Sequence, residues 1–294
     1  MIKLSVIVPT LNDSLIRNVV ERIQVELESL GPNQYKSEII VVGKDDASRL
    51  ANLSDIRFLD TGNPVGASEA RNRGIHASTG GWLLFVDSDC LVQPGWATAM
   101  TERLAAGESV VGGGVTFPTE GYWPLVYNLS LFHEYLTSRE RREMRYLPTL
   151  NLAVKRSVVD DVGLMDEMMK RGHDMDWTIR MAQAGYRLVF EPKAVVSHHP
   201  ARTEFRTVWR DGIRGGYYNR LNRQKYDDYY QTPGILSRPW LVRLLSPLIA
   251  LAVTGRIFLR TPGMLRFIPT APGIYLTKVA WCVGASLQNE PGRI

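Results

Sequence analysis

The 294-residue chain has two cysteines, Cys90 and Cys282, far apart and in unlike surroundings. Neither spacing suits a zinc-ligand set or a disulfide framework, so a reducing compartment is the simpler expectation. The loop after the first apolar run, "VPTLND", holds neither glycine nor a basic residue. That argues against the Gly-rich, basic phosphate loop of a nucleotidyltransferase. Basic residues are dispersed and form no aromatic-basic platform, which disfavours nucleic acid as a partner. No internal repeat or low-complexity run interrupts the chain. One region lacks acid altogether: from Tyr229 to Asn289 there is no Asp or Glu, while Arg238, Arg243, Arg256, Arg260, Arg266 and Lys278 punctuate apolar stretches. Its longest uncharged run, Leu244 to Gly255, has twelve residues, short of the roughly 20 that a membrane-crossing helix needs. An acid-free, basic, apolar segment suits helices lying in a membrane interface. The alternative is helices packed on the core or on a second copy of the chain.

What is present is ordinary for a folded protein: 45% hydrophobic and 22% charged residues, enough for one large domain or a domain with an appendage. The net charge of +5 and pI near 9.2 fit phosphate-bearing ligands or an anionic membrane surface. "MIKLSVIVPT" reads as a buried first strand and not as a signal peptide. Leu15, Ile16, Val19, Val20, Ile23, Leu27 and Leu30 recur at helical spacing, and Gly31-Pro32 stops that helix. "EIIVV" (38–42), "IRFLD" (56–60) and "GWLLFVD" read as further strands, with a helix over "GASEARNRGIHAS". The order predicts an α/β fold with a largely parallel sheet flanked by helices, whose ligands gather at the carboxyl ends of the strands. Further on, "SVVGGGVTF" reads as a strand with a glycine hinge, and "YNLSLFHEYLTSRERREMRYL" as a helix turning strongly basic. "LPTLNLAVKRSVVDDVGLMDE" reads as a strand and a short helix closed by Gly163. "GHDMDWTIRMAQAGYRLVFEP" reads as a turn, a helix from Asp176 to Ala184, and a strand.

Three places carry chemistry. In extended chain, residues two apart point the same way, so Asp87 and Asp89 at the end of "LLFVDSDC" can reach one hard cation. Mg²⁺ and Mn²⁺ take oxygen ligands and are often held by one or two carboxylates plus substrate phosphates. The alternative is a polar strand-end turn. Asp174 in "GHDMDW" precedes a helix whose expected N-cap is Asp176; acids there stabilise helix starts, and one could also serve as a general base. His198 and His199 follow the strand "AVVS"; one of them could complete a cation site, and by alternation the other would face away.

Together these stretches resemble the family 2 glycosyltransferases of GT-A fold, over roughly residues 3 to 220. "SVIVPTLND" is similar to that family's opening strand and nucleotide loop, and "NPVGASEARNRGIHASTGGWLLFVDSDC" to the stretch ending in its metal-binding Asp-x-Asp. "NLAVKRSVVDDVGLMDE" resembles the acceptor-side segment. "GHDMDWTIRMAQAGYRLVFEPKAVVSHH" resembles the block with the catalytic base and a late histidine. The resemblance implies that Pro9, Thr10 and Asn12 line the nucleotide pocket, with Arg71 and Asn72 beside it. It implies that Asp87 and Asp89 hold Mn²⁺ or Mg²⁺ on the donor diphosphate, that His198 adds a ligand, and that Asp174 is the base. Two departures stand out. His173-Asp174 replaces an acid pair, and "VVGKDDAS" puts Gly43-Lys44 where an acid reads the nucleobase, with Asp45 and Asp46 next: either a longer loop makes Asp45 the reader, or base recognition differs.

The implied activity is metal-dependent, inverting transfer of a sugar from a nucleoside-diphosphate sugar to an acceptor hydroxyl on a lipid-linked or cell-envelope glycan. A non-catalytic, membrane-associated sugar-nucleotide-binding or scaffold protein is the alternative, which would tend to have lost the base or the acid pair. Residues 1–225 are expected to form the catalytic domain and 226–294 a helical tail in peripheral contact with the inner face of the membrane, in a cytoplasmic protein. The Gln-x-x-Arg-Trp motif of processive members is replaced by "TVWRDGIRGGYYNR". An oligomer is compatible with all of this.

Overall fold

The computed structural model describes residues 1–31, 33–231 and 234–291. Pro32, expected to help end the first helix, lies outside them. In chain order the elements are β1 (Ile2–Leu11), α1 (Ile16–Glu28), β2 (Tyr35–Lys44), β3 (Ile56–Asp60), α2 (Ala67–Ala77), β4 (Trp82–Val86), β5 (Cys90–Val92), α3 (Trp96–Ala105), β6 (Val110–Thr116) and α4 (Tyr122–Phe132). There follow β7 (Arg142–Glu143), β8 (Asn151–Lys155), α5 (Arg156–Val162), α6 (His173–Gln183), β9 (Leu188–His198), α7 (Phe205–Lys225), α8 (Asp227–Tyr230), α9 (Pro239–Leu244), α10 (Ser246–Arg260) and α11 (Ala271–Ala285).

Two compact units result, one of Met1–Thr116 with Tyr135–His199, the other of Phe117–Glu134 with Pro200–Ile294. The boundary expected after residue 225 coincides with the end of α7, inside the second unit. The first unit is an α/β sheet in the order β3-β2-β1-β4-β8-β6-β9-β5, with β7 on β9. Its β3-β2-β1-β4 half is parallel, as the strand-helix alternation predicts. The other half is mixed: β8 runs antiparallel to β4 and β6, and β5 and β7 run antiparallel to β9. The fully buried β1 residues Val6, Ile7 and Val8 show why its sequence is a continuous apolar run. Beneath the sheet Phe85 meets Trp177 edge-on, ring centroids 5.5 Å apart, both fully buried.

The glycine hinge of β6 has a specific cause. Pairing of β6 with β9 slips between Gly113 and Gly114. Asn151 fills that bulge, donating to the carbonyls of Gly114 (3.0 Å) and Ala194 (2.8 Å) while accepting from Trp96 Nε1 (2.9 Å). A Cβ on Gly113 would lie 2.1 Å from Asn151 Nδ2. The bulge re-aims β9, and β9 carries His198 to β5, where Cys90 pairs with His198.

Two readings of the middle third change. The basic stretch 139–145 is not helical: a 3-10 turn at His133–Tyr135 ends the helical segment, and Arg142–Glu143 form the short β7. Helix α6 starts at His173 behind a left-handed Gly172 (φ 74°), not at Asp176. Asp176, fully buried, instead binds Arg180 within the helix at 3.1 Å.

The second unit is helical. Helices α7 and α11 cross closely because each presents small residues: a Cβ on Gly216 would lie 1.9 Å from the Trp281 carbonyl, and one on Gly284 would lie 1.8 Å from that of Ile213. Among the described residues no helix is long and apolar enough to cross a membrane.

Candidate active site

The carboxyl ends of β1 and β2 are tied by a reciprocal pair of hydrogen bonds. Asn12, in left-handed conformation (φ 57°), donates from Nδ2 to Asp46 Oδ2 and accepts from the Asp46 N–H, both at 2.7 Å. Pro9 and Thr10 lie within β1, opposite Val42 and Gly43. The buried Thr10 hydroxyl has no hydrogen-bond partner among the described residues. Gly43 is required here by its φ of 141° and because a Cβ would meet the Thr10 carbonyl at 1.8 Å.

Asp45, expected to read the base, is turned the other way. Its side chain is 2% exposed, and Oδ2 accepts from the Leu50 N–H at 2.8 Å. The physical reason is that Gly43-Lys44 continue β2, pairing with Thr10 and Leu11, so the turn begins two residues later. The acid beside Asn12 is Asp46, 62% exposed, and Lys44 Nζ sits between it (3.1 Å) and Asp60 (3.3 Å). Hydrogen bonds from Asn12 and Lys44 hold the Asp46 carboxyl low, and the Asp46 and Asp60 contacts raise the Lys44 ammonium.

Arg71 and Asn72, each 2% exposed, are enclosed by protein. Helix α2 aims the Arg71 guanidinium at two groups, pairing Nη2 with Asp87 Oδ1 and Nη1 with His173 Nε2, the latter at 3.0 Å. Burial first, and then the Arg71 charge, hold the His173 imidazole below its ordinary range. Neutral His173 therefore accepts from Arg71 through Nε2, with its proton on Nδ1. Asn72 fixes the 165–167 loop, donating to the Met165 carbonyl (2.9 Å) and Glu167 Oε1 (2.8 Å) and accepting from the Met165 N–H (3.1 Å).

Asp89 faces elsewhere. The Cys90–His198 pairing of β5 with β9 is reinforced by the His199 N–H donating to the Asp89 carbonyl at 2.8 Å. His198 Nε2 thereby stands 3.4 Å from Asp89 Oδ2, while His199 Nε2 contacts Ser197 Oγ at 3.0 Å. Ligand atoms of Asp89, Cys90 and His198 all fall within 4.8 Å of one another. Burial pushes the Cys90 thiol well up, and a hard cation takes a soft sulfur ligand less readily than oxygen or imidazole nitrogen. Asp89 and His198 remain, an oxygen-nitrogen pair that fits Mn²⁺ or Mg²⁺. Asp87 joins the Arg71 network through Oδ1. The two aspartates have separate protein partners, Asp87 with Arg71 and Asp89 with His198.

Asp174 lies in the first turn of α6, next to His173, and Oδ1 accepts from the Met175 N–H at 2.9 Å. Asp87, Arg71, His173 and Asp174 are consecutive neighbours in one charged network.

The model of the family described as "Glycosyl transferase family 2" matches residues 5–163. The chain belongs to that family. Glycosyltransferase AglE of Haloferax volcanii is 31% identical over 212 residues, covering 67% of each chain. The pre-mycofactocin glycosyltransferase of Mycobacterium tuberculosis is 31% identical over 172 residues, 56% of this chain and 36% of that one. The mannosyltransferase PcManGT from Pyrobaculum calidifontis, solved with GDP-Man and Mn²⁺, superposes with TM-score 0.60 at 17% identity over 94% of this chain and 85% of that one. The fold is GT-A, and membership of family 2 makes the protein a glycosyltransferase.

Asp13, an acid that the sequence patterns do not single out, stands near the same strand ends. Asp13 is half-buried, accepts from the Leu15 N–H at 2.8 Å and a Ser88 hydrogen bond, and is raised by burial and then by the nearby Asp89 charge. An acid directly after the Asn12 loop is the signal that could have flagged it.

Proposed function

We propose that this family 2 glycosyltransferase is a metal-dependent inverting enzyme, transferring a sugar from a nucleoside-diphosphate donor to a hydroxyl of a lipid-linked or cell-envelope acceptor. Pro9, Thr10 and Asn12 line the nucleotide pocket, with Asp46 in place of Asp45 as the acid at its mouth. Asp89 and His198 would hold the divalent cation, with Asp87 as the further carboxylate that could join them. When bound, the cation offsets the negative charge that develops on the departing nucleoside diphosphate.

The carboxylate of Asp174 accepts the acceptor's hydroxyl proton as that oxygen bonds to the sugar's anomeric carbon. The bond from that carbon to the diphosphate oxygen breaks as the new one forms, and attack from the opposite face inverts the centre. Burial, and then the Arg71 charge, hold the His173 imidazole neutral, so the residue beside the base adds no positive charge that would lower its basicity. Residues 1–225 do this chemistry, and 226–294 hold the enzyme at the inner membrane face.

The observation that carries the reading is the meeting of Asp89 with His198 at a strand end in a chain of this family. The test is a panel of nucleotide sugars with Mn²⁺ or Mg²⁺, reading released nucleoside diphosphate and, by NMR, the anomeric configuration of the product. Release that needs the cation and an inverted product support the reading. Cation-independent turnover or a retained configuration would sink it.

A further inference from the structure

The helical unit holds a cavity of about 190 Å³, lined by Arg220, Arg223 and Gln224 of α7, Asp227 of α8, Ser237, and Trp281 and Ala285 of α11. None of these belongs to the site above. Its cations have unusual partners. Arg220 donates to the Leu287 carbonyl at 2.6 Å and lies 5.7 Å from the Tyr217 ring centroid. Arg223 donates to Asn219 Oδ1 at 2.8 Å and lies 4.8 Å over the Tyr230 ring. Among the described residues neither guanidinium has a carboxylate partner, and the buried Arg220 Nε has no hydrogen-bond acceptor. Asp227 is the sole acid of the lining among the described residues, against two arginines. Planar guanidinia held by neutral partners suit phosphate oxygens, and Gln224 adds a neutral donor.

A second, independent feature starts three residues beyond Ser237. Trp240, Leu244, Leu248, Leu251 and Leu259, spaced along α9 and α10, are 63–83% exposed. Trp240 and Leu244 are one turn apart on α9, and Leu248, Leu251 and Leu259 share one face of α10. Large apolar residues lined up in water mark a surface that is covered in use, and the absence of acid around them suits an anionic lipid surface.

We infer that this cavity binds the phosphate headgroup of an amphiphile whose tail lies along these exposed residues of α9 and α10 in the bilayer interface. The occupant is a phosphomonoester or diphosphate lipid, recognised by Arg220 and Arg223 against the Trp281 wall. The inference deepens the reading of a lipid-linked acceptor and rests on it for the purpose of the site, though not for its chemistry.

The test uses the full chain and vesicles of phosphatidylcholine alone, with phosphatidic acid, or with phosphatidylglycerol at matched charge. Phosphatidic acid vesicles are expected to bind most tightly, with Arg223→Gln weakening that binding roughly tenfold, as expected for one charged hydrogen bond. Asp227→Asn, which leaves the fold's contacts in place, is expected to tighten it, an effect that a purely structural role would not give. Inorganic pyrophosphate is expected to compete.

Equal binding to the two anionic vesicles by wild type and both variants would overturn the site. Tight pyrophosphate binding without any gain from vesicles would overturn the lipid assignment in favour of a free phosphate. Donor hydrolysis without acceptor is measured alongside. If it is normal while vesicle selectivity is absent, this inference fails alone; if it is absent, the proposed function fails instead.

Discussion

Replacing Arg71 with Met removes the cation that joins α2, the end of β4 and the start of α6. Arg71 is 3% exposed at its side chain and Asp87 is 31% exposed. Breaking a fully buried ion pair by deleting one partner costs about 3–5 kcal/mol. Asp87 can recover part of its hydration, which places the cost near the lower end, about 3 kcal/mol. For a chain of this size that is a fall in Tm of roughly 5–10 °C. Released from Arg71, His173 titrates closer to its ordinary range but stays below it, because burial is the larger cause of its depression. With Asp87 free to turn, turnover is expected to fall at least about tenfold. Arg71→Lys is expected to rescue only part, since one ammonium lacks the fork that reaches both partners. Thermal unfolding by circular dichroism, turnover with saturating donor, and the NMR titration of the His173 ring measure all three effects. A shift in Tm under about 1 °C with normal turnover would refute the assignment of Arg71 as the organiser of the site.

Three further outcomes follow from named contacts. Asp89→Ala and His198→Ala are each expected to weaken cation-dependent donor binding at least about tenfold, read by calorimetry with and without Mn²⁺; unchanged affinity would count against the pair as ligands. Gly284→Ala puts a methyl 1.8 Å from the Ile213 carbonyl and is expected to cost about 3 kcal/mol by overpacking, whereas a normal denaturation midpoint would show that α7 and α11 can move apart. His173 has a depressed pKa in the fold, so its contribution to stability is present above the unfolded value of 6.5 and is lost as pH falls below it. Wild type should lose more stability than His173→Gln between about pH 6.5 and pH 5 in urea titrations; parallel curves would remove His173 from the account.

Much of the α/β architecture is legible because local patterns carry it. The β1 run and the Ile16–Leu27 spacing match the observed strand and helix, since both are set by which residues are buried. The mixed half of the sheet is not legible, because strand direction depends on long-range pairing that no window of sequence contains. Strand β5 has three residues, too few for a periodicity, yet its pairing with β9 is what brings Asp89 to His198. The helix start at Gly172 escapes notice because a glycine without a side-chain cap precedes it, whereas Asp176 has the residue type that usually marks one. Asp87 illustrates the limit at the site: alternation says where a carboxylate points, but not that a buried arginine 16 residues upstream has bound it. The close crossing of α7 and α11 has a local signature, as Gly212 and Gly216 are one helical turn apart and meet Ala280 and the Trp281 carbonyl.

The central claim, that Asp174 is the base of a sugar transfer organised by this network, is tested most directly by Asp174→Asn. The variant keeps the size of the side chain and its hydrogen bond from Met175 but cannot take the acceptor's proton. Sugar transfer and donor binding are measured on the same protein in the presence of Mn²⁺. The account predicts loss of transfer by about 10²-fold or more, with donor affinity within about twofold of wild type. Transfer at the wild-type rate with unchanged donor binding would contradict it.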